Sequence, residues 1–448
     1  MNSPARDYYQ DEFRRNAARL PGAGLPWLRR ARAEAMERFA ASGFPGLRDE
    51  EWKYTSLAAL ERLAFPPSPV QRADCAVAAA LLATLQLAPG AAHLLVFCDG
   101  RHAPALSTPG RLPDGVKLLS LAQALEQMPK MLDVLDVLEP RLTDGSGQTV
   151  FGALNTALMQ DGACLYLPPG ASVTQPLHLL FLTTQAAACH LRNVIVAGDG
   201  ARASVIEHYA GPDGLPYFNN VVSQIYLAGG AAVCHYKLQQ EGRHAFHIAG
   251  IHALQGAASR LESHSISLGA ALARNDISTS FEAEGCGAIL NGLYLTAGRQ
   301  HVDHHTRIDH KQAGGTSREY YRGILDGISR AVFNGKVVIH AGAQKSDAHQ
   351  ANHNLLLSRD AEIDSKPQLE IHADDVQCTH GATVGQLDDE QLFYLRTRGI
   401  EQAMAKSLLV HAFARDVLAR IKLDSLRLRL EEILSTRLPQ GEAIRELA

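Results

Sequence analysis

The stretches GDGARASVIEH (198–208), AGGAAVCHYKL (228–238), QGAASRLESHS (255–265) and EGCGAILNGLY (284–294) follow one pattern. Each opens on a glycine-containing turn, passes through small residues and enters branched or aromatic ones. They begin 27 to 30 residues apart, and RDAEIDSKPQLEI (359–371) reads as a later copy. A period of this size marks a solenoid or an array. Strand-like runs with small residues at the corners suit a β-helix, in which each coil stacks on the last and buries a shared core. A jelly roll or a cupin-like sandwich is the rival architecture. The repeat favours the β-helix.

Outward from these copies the text stays β-rich. From about residue 163, runs such as CLYLPPG, LHLLFLTT and VVSQIYLAGG alternate with Gly, Asn and Asp turns. Both flanks differ. Before residue 161 the spacing is mainly helical, as in LPWLRRARAEAMERFAASG and SLAQALEQMPKMLDVLDVLEPRL, where Pro129 breaks the run. One short strand, HLLVFCDG (93–100), stops at an Asp-Gly turn. After residue 387, Asp388 reads as an N-cap with Gln391 three residues on, and Gly399 closes that helix. A second helix carries Met404, Leu408, Leu409, Phe413, Val417 and Ile421 on one broad face. The expected division is a mainly helical domain at 1–160, a β-helix core at 161–387 and a helical domain at 388–448. The terminal helices would cap the open end of the solenoid or offer a docking surface.

With 448 residues, 46% hydrophobic and 20% charged, the chain has the composition of a folded soluble protein. A net charge of −4 argues against a general nucleic-acid binder. No apolar run reaches the roughly 20 residues that span a bilayer, and MNSPARDYYQDEF has no secretory pattern. The seven cysteines are scattered and never form CxxC, as expected of thiols in a reducing cytoplasm. GxxxxGK[ST], GxGxxG after a strand, GxSxG and HExxH are all missing.

Three places could carry metal chemistry. In QHVDHHTRIDH (300–310), a strand would put His301, Asp303 and His305 on one side and His304 on the other. That arrangement is a metal site or a polar ladder, and the ladder is the better reading. In VVIHAGAQKSDAHQANHNLLL (337–357), His349 and His353 share a helix face or stand in a polar row beside inward-stacked Asn and Gln. Cys234–His235 and Cys189–His190 are adjacent pairs that a strand would point apart. The third place is QCTHGATVG (377–385). Cys378 and His380, two residues apart, leave the same face of a strand, and thiolate with imidazole suits iron or zinc. Four ligands are needed for a tetrahedral site. His372 is the nearest further candidate, and a second chain is the readiest source of the rest.

These residues carry a resemblance. KPQLEIHADDVQCTHGATVGQLDDEQLFYLRTRGI (366–400), FNGKVVIHAGAQKSDAHQANHNLLLS (333–358), QHVDHHTRIDH and DEEWKYTSL (49–57) resemble the SufB/SufD family of iron–sulfur cluster assembly scaffolds over most of the chain. Leu395 stands where SufB-type members tend to have cysteine, and Gly381 where they tend to have glutamate, so the likeness is to the SufD-type branch. The resemblance implies a mainly β fold, a right-handed parallel β-helix flanked by N-terminal and C-terminal helical domains. It implies a non-catalytic subunit that pairs with a SufB-type partner and binds the ABC-type ATPase SufC. Cys378 and His380 would meet a transient iron–sulfur cluster at the subunit interface. The ATPase would dock near Asp389, Phe393, Tyr394, Arg398, Met404 and Leu408. Whether the complex carries flavin, and whether the isolated chain forms homodimers, stays open; no nucleic acid or membrane is expected. The competing readings are a mononuclear metal-binding β protein using His301, Asp303 and His305, and a polysaccharide-active β-helix enzyme. The acidic residues are too dispersed for the second.

Overall fold

The computed structural model describes residues 4–67, 75–85, 93–127 and 149–438. Pro129 and the helix expected beyond it lie outside the described residues, as do residues 439–448. Two sheets, one of ten strands and one of nine, run the length of the core. From Ala163–Leu167 to Gln377–Gly385 the chain alternates between them, and each strand pairs in parallel with the strand two places on. This is a parallel β-solenoid of about eight coils. The register is regular: Leu272–Phe281 pairs with His301–His310, and that with Arg330–Ile339.

The repeat is the coil corner. Gly200, Gly230, Gly285 and Gly314 sit at equivalent corners with φ of 66°, 65°, 69° and 70°. Side chains with a Cβ avoid that region, so glycine recurs there. In the QGAAS copy Ala258 takes the position at φ 55° and carries the strain. Inside the coils, apolar side chains of both sheets form one continuous core. Rings stack along its first coils, Phe97 on Phe181 and Phe181 on Tyr209, each at 4.8 Å between centroids.

The flanking segments cover the two outer faces. Tyr9, Phe39, Trp52 and Phe151 pack on Phe218, Phe246 and Leu272 of the nine-stranded sheet. Behind them the buried Arg32 donates to the carbonyls of Ala157 and Met159, both at 3.1 Å. The first segment also lends strands to the solenoid. His93–Cys98 lies parallel to Leu177–Leu182, and Lys117–Ser120 runs antiparallel to Ala163–Leu167. The expected Asp-Gly turn is present, with Asp99 and Gly100 at φ 48° and 78° between Cys98 and Arg101.

The helices Gln402–Leu418 and Asp424–Arg437 lie along the ten-stranded sheet, where Val410, Ala414, Val417 and Leu430 cover Ile266, Leu293, Ile324 and Leu355. They therefore do not cap the end of the solenoid. The outer face of that sheet is itself apolar, and covering it wins because each fully buried Leu or Ile contributes about 1.5–3 kcal/mol. The buried face of Gln402–Leu418 also departs in part from the expected one. Val417 and, just past the helix, Ile421 are buried as expected, but toward its start the face runs through Ala405, Val410 and Ala414, leaving Met404 and Leu408 half-buried.

Candidate metal centre at the open end of the solenoid

The last coil is left open. Glu362–Ile371 and Gln377–Gly385 are the terminal strands of the two sheets, and neither contains a buried residue. Cys378 and His380 stand on this coil. Their in-register neighbours are Ala348 and Gln350, both buried in the lumen. The pair therefore shares the inner face, as the two-residue spacing predicts. Cys378 is half-buried against the core, and His380 is exposed. Burial pushes the Cys378 thiol up, and the Asp347 carboxylate adds to the shift. The free thiol is thus protonated at neutral pH, and a cation arriving there would displace the proton.

The intervening residues face out. Thr379 hydrogen-bonds His349 Nδ1 at 2.6 Å, and Thr383 hydrogen-bonds His353 Nδ1 at 2.8 Å. His349 and His353 lie on the strand Asp347–Leu356, not on a helix. His349 is further engaged by Asp347 at 2.9 Å. His372 is exposed just beyond Glu362–Ile371, in the other sheet. Among the described residues, no group of three or more His, Cys, Asp or Glu side chains is arranged to hold a metal ion.

The His301 cluster serves another purpose. His301, Asp303 and His305 share the outer face as expected, and the DEEWKYTSL segment docks on them. Thr55 hydrogen-bonds His301 Nε2 at 2.9 Å and donates to Asp303 Oδ2 at 2.6 Å. Asp303 also accepts from the buried Arg274 at 2.8 Å, and the Arg274 guanidinium lies 3.8 Å from the Trp52 ring. His305 bridges Asp303 Oδ1 at 3.0 Å and Glu51 Oε2 at 3.1 Å. Lys366 meets Glu50 at 2.6 Å. These groups are occupied by one another and by the N-terminal segment, so the polar-ladder reading holds with a clamp added. His304 points inward, and burial drops its pKa to about 3. His310 is also inward, between Ser317 at 2.8 Å and Ser346 at 3.2 Å.

The lumen holds charges that sequence reasoning missed. Lys237 Nζ lies 2.7 Å from His247 Nε2, His247 Nδ1 lies 2.8 Å from Glu241, and His235 lies 3.2 Å from Glu207, all fully buried. His235 points inward while Cys234 packs outward against the C-terminal helices, as adjacent strand residues must. Cys98, Cys164, Cys189, Cys234, Cys286 and Cys378 are free thiols.

Beyond the last strand, Asp388 caps the helix Asp389–Thr397 by accepting from Glu390 N at 2.9 Å, and Gly399 follows at φ 85°. That helix buries nothing: Phe393 is 68% and Tyr394 57% exposed. Arg398 lies 5.2 Å from the Tyr394 ring. Asp389 is exposed on the first turn. No helix among the described residues is long and apolar enough to cross a membrane.

Residues 3–179 match the family described as SufBD protein N-terminal region, and residues 180–413 the family described as SUF system FeS cluster assembly, SufBD core domain. The chain is 35% identical to an iron–sulfur cluster assembly SufBD family protein of Synechocystis, over 91% of this chain and 90% of that one. It is 33% identical to the iron–sulfur cluster assembly protein SufD of Escherichia coli, over 91% and 92%. With the SufD of Bacillus subtilis the identity is 26%, over 63% and 65%. The β-solenoid with its open-ended Cys/His coil thus belongs to a member of the SufB/SufD family of iron–sulfur cluster assembly proteins, SufD-like within it.

Proposed function

We propose that this chain is a non-catalytic scaffold subunit of a cytoplasmic iron–sulfur cluster assembly complex. It pairs with a SufB-type subunit through its open end and binds a SufC-type ATPase through its C-terminal helical segment, 388–448. Cys378 and His380 contribute to a nascent cluster, which is cargo rather than a resident cofactor. One observation carries the reading: a same-face thiol and imidazole stand on the last strand of the ten-stranded sheet, with no third ligand group among the described residues. An incomplete soft-ligand pair at an unpaired sheet edge suits completion by a second chain, whose strand would also satisfy the free backbone groups. A second copy of this chain could use the same edge, which supports a homodimer when the SufB-type partner is missing.

The sequence has no P-loop, so nucleotide energy would enter through the ATPase. Its subunits, closing on ATP, would pull the exposed Asp389–Thr397 helix. That helix joins the last strand through only a few residues, so its movement would bear on the Cys378/His380 coil.

The test is co-expression with SufB-type and SufC-type subunits, followed by reconstitution with iron and sulfide. Cys378→Ser and His380→Ala should each lower the iron and sulfide retained while the complex still assembles. Cluster content equal to the parent complex in both variants would remove the site assignment.

A further inference from the structure

A polar file in the lumen ends at His380. Glu319, Gln350 and His380 are successive in-register neighbours of the ten-stranded sheet. Such neighbours lie about 4.8 Å apart with side chains on one face. One coil deeper the same position is Leu290, so the file closes inward on apolar packing. Glu319 and Gln350 are each only 3% exposed. Gln350 Nε2 donates to Glu319 Oε2 at 2.7 Å.

That bond sets the direction of the amide. With its NH2 on the carboxyl, Gln350 turns Oε1 elsewhere, and this buried oxygen has no donor among the described residues. Leaving a buried acceptor unmet costs about 1–3 kcal/mol, so an atom of this kind calls for an explanation. The amide has its room by construction, on the nitrogen side. Across the lumen stands Gly335, where a Cβ would lie 1.7 Å from Gln350 Nε2. The next group along the file is an imidazole, which carries a ring N–H to give.

We propose that Gln350, held by Glu319, is a positioning residue for His380: its Oε1 accepts the hydrogen bond of one ring N–H and leaves the other ring nitrogen as the free donor atom toward iron. The inference rests on the reading of His380 as a ligand. Metal-ligating histidines commonly have the second nitrogen anchored, which fixes tautomer and ring direction, and loss of the anchor typically costs 10–100-fold in metal affinity. In the free chain His380 is exposed on an edge strand. Covering the open end with a partner would bring the ring onto its anchor.

The test uses the assembled complex, reconstituted with iron and sulfide and then reduced. Pulsed EPR reads the nitrogen coupling of a histidine ligand, and a chelator challenge reads cluster retention. Gln350→Met keeps the volume and removes the acceptor; Gln350→Glu keeps an acceptor. His380→Ala should abolish the nitrogen coupling, and if it does not, the ligand reading itself is wrong. With that control in place, Gln350→Met should shift or broaden the coupling and speed cluster loss about 10-fold or more, while Gln350→Glu, read at a pH where its carboxyl shares one proton with Glu319, stays near the parent. If Gln350→Met matches the parent in coupling and retention while His380→Ala loses the coupling, the proposal is overturned and the ligand reading stands. Should Gln350→Met not assemble, Glu319→Met decides. It frees the amide to turn, so a broadened coupling supports the proposal and an unchanged one overturns it.

Discussion

The Thr55 hydroxyl donates to Asp303 Oδ2 at 2.6 Å, across a sequence separation of 248 residues. The same carboxylate takes the Arg274 guanidinium at 2.8 Å. One oxygen thus joins the N-terminal segment to the solenoid wall and neutralises a buried cation. Thr55→Ala should cost about 1 kcal/mol, the usual worth of one such bond. Asp303→Ala should cost about 3 kcal/mol or more, because Arg274 stays buried with Asp276 as its remaining carboxylate. Urea unfolding of both variants checks the order. Equal losses would mean that Asp303 does not carry the Arg274 charge.

His305 gives the clamp a pH dependence. Burial opposes its charge, but the Asp303 carboxylate overrides burial and raises the imidazole from 6.5 to about 9. A raised pKa means that the folded state binds the proton more tightly. The stabilisation is complete below pH 6.5 and is lost as pH rises through 9. His305→Gln should therefore be less stable than the parent at pH 6, by up to about 3 kcal/mol, with the gap closing toward pH 10. Denaturant midpoints at the two pH values test it.

The legible and illegible parts divide on physical grounds. Glycine corners repeat because only glycine is at ease at φ near 66°, so the solenoid shows in the text through Gly200, Gly230 and Gly285. Cys378 and His380 were legible because strand faces alternate with period two. The Glu319–Gln350–His380 file was not. Coils differ in length, 29 residues from Leu290 to Glu319, 31 to Gln350 and 30 to His380, so a fixed period never aligns them. The first turns of Gln402–Leu418 depart from the expected face for a different reason, while Val417 keeps to it. Hydrophobic size ranks Met404 and Leu408 first, whereas close approach to the sheet selects Ala405 and Ala414, which are fully buried. The terminal helices are expected to cap the end or to offer a docking surface, and nothing in their own sequence records that the sheet beside them has an apolar outer face.

Glu319 should make the lumen sensitive to alkali. Burial pushes its carboxyl from 4.5 up to about 7. The folded chain therefore holds this proton more tightly than the unfolded chain does. The contribution is full below pH 4.5 and is lost as pH rises through 7. Glu319→Gln removes the penalty and should stabilise the chain at pH 8 by up to about 3 kcal/mol, with little effect at pH 4.5. Thermal melts of the isolated chain at both pH values measure the difference.

Gly335→Ala tests the space around Gln350. The new methyl would overlap the Gln350 amide and touch the Phe333 ring, at 1.7 and 2.9 Å. One side chain must leave its place, at a cost of about 1–3 kcal/mol. The double variant Gly335→Ala with Gln350→Ala should recover most of that loss, since the clash is then gone. Failure to recover would locate the strain elsewhere, in the Phe333 packing.

The exposed Phe393 and Tyr394 should matter for binding and hardly at all for folding. They stand 68% and 57% exposed on a helix that buries none of its residues. Two large aromatic side chains held mostly in water fit the anchor residues of an interface, where truncation costs about 2 kcal/mol or more. Substitutions that remove no buried surface leave stability within about 0.5 kcal/mol. Phe393→Ala with Tyr394→Ala should therefore weaken binding of the SufC-type ATPase by about 30-fold or more, with an unchanged melting temperature. Calorimetric titration of the ATPase into the parent and the double variant gives both numbers. A matching affinity would move the docking surface to the half-buried Met404 and Leu408 on the next helix.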